Sequence, residues 1–195
     1  MSDQEFEFLK SSFKGVQFND ALEADFRLMW KEKTFAKNEW LLEAGRVEQY
    51  FYFVLEGVQA VYYINGKGEK VVLGFSYRGD YSGGYDSFLT RKPSRLFLEA
   101  LLPSRLVAIT YDDFRSLFER SPLFDRWNRQ FLEAILIGRY QREMEMVDYN
   151  ARERYIAFMK RCPDELRQIP QKYLASYLNM TPETFSRLRA TVREE

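Results

Sequence analysis

The spacing of apolar and polar residues changes period several times along the chain. From Asn19 to Trp30, Ala21, Leu22, Phe26 and Met29 recur at helical intervals behind an Asn-Asp start, which predicts a short amphipathic helix. From Lys33 to Tyr111 the texture becomes short β-branched and aromatic runs: TFAK, EWLLEA, YFYFVLEG, VQAVYYI, EKVVLGF, RLFLEAL and SRLVAIT, each bounded by turn residues. Asn65-Gly66-Lys67-Gly68 separates two of these runs and predicts a hairpin, because a tight turn needs positive φ and Asn and Gly adopt it at least cost. Many short strands at regular spacing predict an antiparallel β-barrel or jelly roll.

After Thr110 the period returns to that of helices. Tyr111-Asp112-Asp113-Phe114 opens a helical turn that ends near Ser121-Pro122, and a long helix is expected from Pro122 to about Val147. In it Phe124, Trp127, Phe131, Ile135, Gly138 and Arg142 recur every three or four residues. At about 38 Å such a helix is longer than a small barrel can cover, so two arrangements stand: packing on its own barrel, or a parallel dimer seam. Asp148-Tyr149-Asn150 interrupts it, and Asn150 with Glu153 has the spacing of a reciprocal helix cap, which places a hinge and a domain boundary there, 1–148 and 149–195. A further helix runs Ala151 to Arg161 and stops at Cys162-Pro163-Asp164.

Pro170 to Leu178 and Thr181 to about Arg193 form two short helical patterns separated by Leu178-Asn179-Met180, a helix-turn-helix layout. Tyr173, Leu174 and Tyr177 on the first helix and Phe185 and Leu188 on the second can share a core, with Ala175 small enough for a close crossing. Thr181 is a good cap, Pro182 sits where its missing N–H costs nothing, and Glu183 suits the positive helix end. With Phe185 and Leu188 inward, Pro182, Glu183, Ser186, Arg187 and the flanking Arg189 lie outward or at the edge. Arg187 can donate two parallel hydrogen bonds to guanine and Glu183 can accept from cytosine; the plainer alternatives are a solvated cation and a dipole-stabilising carboxylate.

Composition narrows the chemistry. The 195 residues, 46% hydrophobic and 30% charged, suit a folded protein large enough for two domains. The acidic start MSDQEFEFLK does not resemble a secretory signal, and no apolar run reaches the roughly 18 residues of a membrane span, so a cytoplasmic protein is expected. With one cysteine, Cys162, and no histidine, an internal disulfide, a thiolate metal site and His-based acid/base chemistry all lose their residues. No phosphate-binding loop is present, so no enzymatic activity, metal or cofactor is expected. Net charge is zero overall, but residues 149–195 carry nine basic and six acidic groups, +3 against −3 for the remainder.

In this order of parts the chain resembles the Crp/Fnr family of bacterial regulators. The likeness runs through FYFVLEGVQAVYYINGKGEKVVLGF, with Gly57 between two strands, through Gly79-Asp80-Tyr81, and most closely through ERYIAFMKRCPDELRQIPQKYLASYLNMTPETFSRLR, which is similar to the branch found in Bacteroidetes. The resemblance implies an α+β fold, in which a cyclic-nucleotide-binding-type barrel and a long dimerisation helix are followed by a winged-helix-like helix-turn-helix. The partners it implies are double-stranded DNA, a second copy bound through the long helix, a small anionic effector and RNA polymerase.

The phosphate cassette departs from the family pattern. Cyclic-AMP-binding members carry a Gly-Glu pair and then Arg-Ser; this chain has Gly83-Gly84 and Ser94-Arg95. Losing a charged ribose acceptor removes a hydrogen bond of about 1.5–3 kcal/mol, so tight cyclic AMP binding is not expected. The candidate effector residues are Gly83, Gly84, Asp86, Arg91, Ser94, Arg95 and Tyr140. Asp86 is either a substitute carboxylate or an exposed turn residue; Arg91, Lys92 and Arg95 either capture an anion or solubilise a loop; Tyr140 either closes the pocket or lies in the dimer seam. Two other functions remain open: a ligand- or protein-binding module that does not read DNA, and a cupin-like enzyme, which the missing histidines oppose.

Overall fold

The apolar run Phe51–Leu55 is buried at every position, which requires packing on both faces of its strand. In the computed structural model, which describes residues 1–192, both faces are covered. Two four-stranded antiparallel sheets form a jelly roll. One has the order β1 (Lys31–Phe35), β8 (Ser104–Thr110), β3 (Tyr50–Glu56), β6 (Tyr81–Ser82); the other β2 (Trp40–Leu42), β7 (Phe97–Ala100), β4 (Gln59–Ile64), β5 (Lys70–Ser76). Tyr52 and Val54 of β3 point into the barrel beside Leu106 and Ala108, whereas Phe51, Phe53 and Leu55 join an aromatic cluster supplied by helices. The predicted hairpin forms at the expected residues: the Asn65 carboxamide accepts from the Lys67 and Glu69 N–H groups at 2.9 and 3.0 Å, and Gly68 takes φ +79°.

The helices that close this cluster are α1 (Asp3–Ser12), α2 (Asp20–Met29), α4 (Tyr111–Arg120) and the start of α5 (Pro122–Asp148), with α3 (Tyr85–Thr90) between β6 and β7. The sequence pattern foresees α2, α4 and α5 but neither α1 nor α3. Ser2 and Glu5 form a reciprocal cap on α1, whose Phe6 and Leu9, with Phe13 after it, are buried.

The spaced stripe on α5 has a different partner from a dimer seam. Phe124 and Trp127 are buried against the barrel, and Phe131 packs half-buried over Trp127 with ring centroids 5.5 Å apart, among Tyr81, Tyr85 and Phe51. A second apolar stripe stays uncovered: Leu136, Ile137, Tyr140, Met144 and Val147 are 54–78% exposed. Both expected arrangements therefore have a face on the same helix.

After the reciprocal cap of Asn150 and Glu153, α6 (Ala151–Arg161) leads through a 3-10 turn (Asp164–Gln168) to α7 (Gln171–Tyr177) and α8 (Pro182–Thr191). Tyr155, Phe158, Leu166, Leu174 and Phe185 form their core, and the same cluster continues onto the outer face of the β2-β7-β4-β5 sheet through Val58, Ala60, Tyr62 and Val72. Among the described residues no strand follows α8; Arg193, Glu194 and Glu195, the end of the expected last helix and domain, lie outside them.

Candidate functional site

The outward face of α8 is built from its N-terminus. Thr181 caps it by accepting from the Thr184 N–H at 3.2 Å, Pro182 occupies the first turn, and buried Phe185 stands edge-on to Tyr155 at 5.3 Å. That anchor fixes the rotation of the helix. Thr181, Pro182, Glu183, Ser186 and Arg187 are consequently exposed, and the last four surround a shallow depression with Ala190 and Gln171. Arg189 is half-buried and lines a separate apolar hollow with Phe185 and Cys162. Its own backbone N–H, with the Thr181 hydroxyl, holds the Glu183 carboxyl below the usual range, so at neutral pH it is an acceptor.

A second feature is a cleft of about 510 Å³ between the barrel mouth and α5. Of the seven candidate effector residues, Gly83 and Asp86 line it. Gly84 lies behind its wall: its N–H donates to Glu48 Oε2 at 3.1 Å, and a Cβ there would stand 2.5 Å from Leu42 Cδ2. Arg91 is occupied, donating to the Glu48 carbonyl at 2.6 Å and to Gln49 Oε1 at 3.0 Å while its guanidinium covers the Tyr111 ring. Ser94 is buried and its hydroxyl accepts from the Leu96 N–H. Arg95 and Lys92 are exposed outside the cleft lining, and Tyr140 is 59% exposed on the uncovered stripe of α5.

Glu48, which no sequence signal marks, is 2% exposed and holds the cassette together from below. Burial pushes its carboxyl pKa up, opposed by the N–H groups of Gly84, Tyr50 and Gln49 and by the nearby Arg91. Sequence reasoning also misses Arg139, Arg142 and Tyr177 as cleft residues. The signal for Arg142 is an arginine at the end of an otherwise apolar stripe.

Residues 32–121 match the family model described as the cyclic nucleotide-binding domain. The matched stretch runs from β1 through β8 and α4, so it spans both sheets of the barrel. Over most of its length the chain also has the fold of Crp/Fnr-type regulators. It is similar to FixK2 from Bradyrhizobium japonicum, with 17% identity, 85% of each chain covered and a TM-score of 0.75. It is similar to the c-di-GMP responsive global regulator CLP of Xanthomonas campestris, with 14% identity, 90% of this chain and 92% of that chain covered, and a TM-score of 0.71. The catabolite activator protein of Thermus thermophilus matches at 19% identity, 94% and 86% coverage and a TM-score of 0.59. No curated protein sequence matches. Among the described residues no helix is long and apolar enough to cross a membrane.

The barrel meets the helix-turn-helix through a polar seam. Ser176 of α7 extends the β5 edge, its hydroxyl accepting from the Val72 N–H at 3.0 Å and donating to the Lys70 carbonyl at 2.8 Å. Tyr173 donates to buried Glu99 at 3.0 Å, and Lys70 pairs with the other carboxylate oxygen. Arg161 grips Glu145 of α5 through two hydrogen bonds.

Asp80 of the barrel domain belongs to this seam. Burial, opposed by the Tyr77 N–H and reinforced by Glu165 on the 3-10 turn, pushes its pKa from 3.8 up to about 6. Between those values the folded protein holds a proton that the unfolded chain has released, so stability falls as pH rises through the window and stays lowered above it. The expected loss is about 2–3 kcal/mol. Asp80→Asn keeps the acceptor for Tyr77 and removes the charge; urea midpoints from pH 4 to 8 should show a flatter profile and a more stable protein at pH 7. An unchanged slope between pH 4 and 6 would assign it to other carboxyls.

Proposed function

We propose that the protein is a sequence-specific DNA-binding transcription regulator, a cytoplasmic homodimer of the Crp/Fnr type whose cleft takes a small effector and which is not an enzyme. The observation that carries this reading is the capped α8 with Pro182, Glu183, Ser186 and Arg187 together on its exposed side, on a helix-turn-helix joined to a cyclic nucleotide-binding domain. A helix presented in this way enters a major groove N-terminus first, and a two-fold dimer would place two such helices about 34 Å apart. The uncovered stripe of α5 supports the dimer, and the hinge at Asn150 sets the spacing of the two helices. The signature of α6 to α8 favours a Bacteroidetes-like member, with RNA polymerase as a partner at promoters.

Cyclic AMP is not the expected effector. The family's ribose carboxylate is absent at Gly84, and Leu42 stands where its side chain would start.

Selection of bound fragments from a random duplex pool tests the reading, with enrichment of a two-fold-symmetric site expected. Arg187→Ala should then lower affinity for that site by about 1–3 kcal/mol per half-site and relax the preference at one base pair. Equal binding to cognate and scrambled duplexes by the native protein would instead indicate a ligand- or protein-binding module.

A further inference from the structure

The cleft is polarised in a way that the barrel loop does not explain. Its charged groups are Asp86 on the barrel wall and Arg139 and Arg142 on the α5 wall, while Arg91 and Arg95 stand outside it. Arg142 is only partly satisfied. Its Nη2 donates to the Tyr177 carbonyl at 2.9 Å and, more weakly, to the Val72 carbonyl at 3.5 Å, and its guanidinium lies over the Tyr177 ring at 4.6 Å, yet its Nε–H is buried without an acceptor. A charged donor withdrawn from water and left unmatched is costly, and an incoming acceptor would relieve that cost. One turn earlier Gly138 leaves room, since a Cβ built there meets nothing within 4 Å. Phe131, Ile135 and Leu98 supply apolar wall on either side of that space.

Resting on the reading of this cleft as the effector site, we infer that it takes a small organic anion with a flat apolar body, whose acidic group is received by Arg142 of the long helix rather than by the barrel loop. The body lies over Gly138 and against Phe131, and the acid points away from Asp86. Arg142 offers its unmatched Nε–H and a terminal N–H as a parallel pair, the geometry that guanidinium gives to carboxylates, sulfonates and phosphates. Because the guanidinium also holds the end of α7, an anion that draws it inward loosens its bond to the Tyr177 carbonyl. Ligand chemistry thereby reaches the helix-turn-helix through one side chain.

The test uses two fluorescent probes with one aromatic body, 1-anilinonaphthalene-8-sulfonate and its uncharged counterpart N-phenyl-1-naphthylamine. The full chain should bind the sulfonate, and Arg142→Gln, which keeps a donor for Tyr177, should weaken it at least tenfold while leaving the neutral probe within twofold. Gly138→Leu should weaken both probes. Arg95→Met should change neither; loss of sulfonate binding there with Arg142→Gln unaffected would return the acid to the barrel loop and overturn the inference. Failure of the native protein to bind the sulfonate, or equal loss of both probes in Arg142→Gln, would also overturn it. Duplex selection on the same sample separates the two readings: a selected site without Arg142-dependent binding leaves the regulator standing, and the converse leaves the anion site standing.

Discussion

Gly57→Ala is expected to cost the fold about 3–5 kcal/mol, enough to leave most of the protein insoluble or unfolded at 37 °C. Gly57 joins β3 to β4 at φ +94°, a region that costs an L side chain about 1–2 kcal/mol. Sterics add more, because the new Cβ would stand 2.2 Å from Ser104 Oγ and 2.7 Å from both Pro103 O and Ser104 Cα. Those atoms cannot easily retreat. Ser104 Oγ accepts from Gln59 at 2.8 Å and donates to the Leu102 carbonyl at 2.7 Å, and Leu55 and Val58 beside the glycine are fully buried. Adding Ser104→Ala should recover only part of the loss, since the carbonyl and the Cα remain. Thermal melts of the three proteins check this; a midpoint for Gly57→Ala within a few degrees of the native protein would show that the connection moves freely.

Features with local causes are legible in the sequence. The Asn65 hairpin, the Asn150–Glu153 cap and the Thr181-Pro182 helix start each depend on a few adjacent residues, and all form where the pattern puts them. The helix α1 is missed because its apolar positions, Phe6 and Leu9, are few and its stability comes from packing on Phe26 and the barrel rather than from periodicity. The helix α3 is only six residues long and follows Gly83-Gly84, which reads as loop. At the candidate site the outward residues of α8 follow from the inward ones, so they can be read directly. The cleft cannot, because its wall joins residues from strands, α3, α5 and α7. Arg91 shows the difference: its sequence position suggests an anion partner, whereas in the fold Glu48 and Gln49 carbonyl groups take its donors.

Leu136→Asp combined with Met144→Asp is expected to convert the proposed dimer into a monomer and to lower affinity for a two-fold-symmetric site by about 10²–10⁴-fold, because the second half-site is then no longer engaged from a tethered partner. The two positions lie eight residues apart on the uncovered stripe and are 54% and 59% exposed, so the substitutions remove little packing within one chain. In a parallel two-stranded seam each aspartate would face its own copy or a neighbouring apolar side chain, adding charge repulsion to the lost burial. Phe131→Asp must behave differently. That ring packs on Trp127, Tyr81 and Phe51, so its loss unsettles the barrel cluster and lowers the melting temperature of each subunit before it affects assembly. Light scattering and thermal melts on both proteins separate the effects: the double variant should be monomeric with a melt set by the subunit alone, and Phe131→Asp should melt early at any mass. A double variant that keeps the dimer mass would move the interface off α5, and with it the mechanism by which the Asn150 hinge sets the spacing of the two recognition helices.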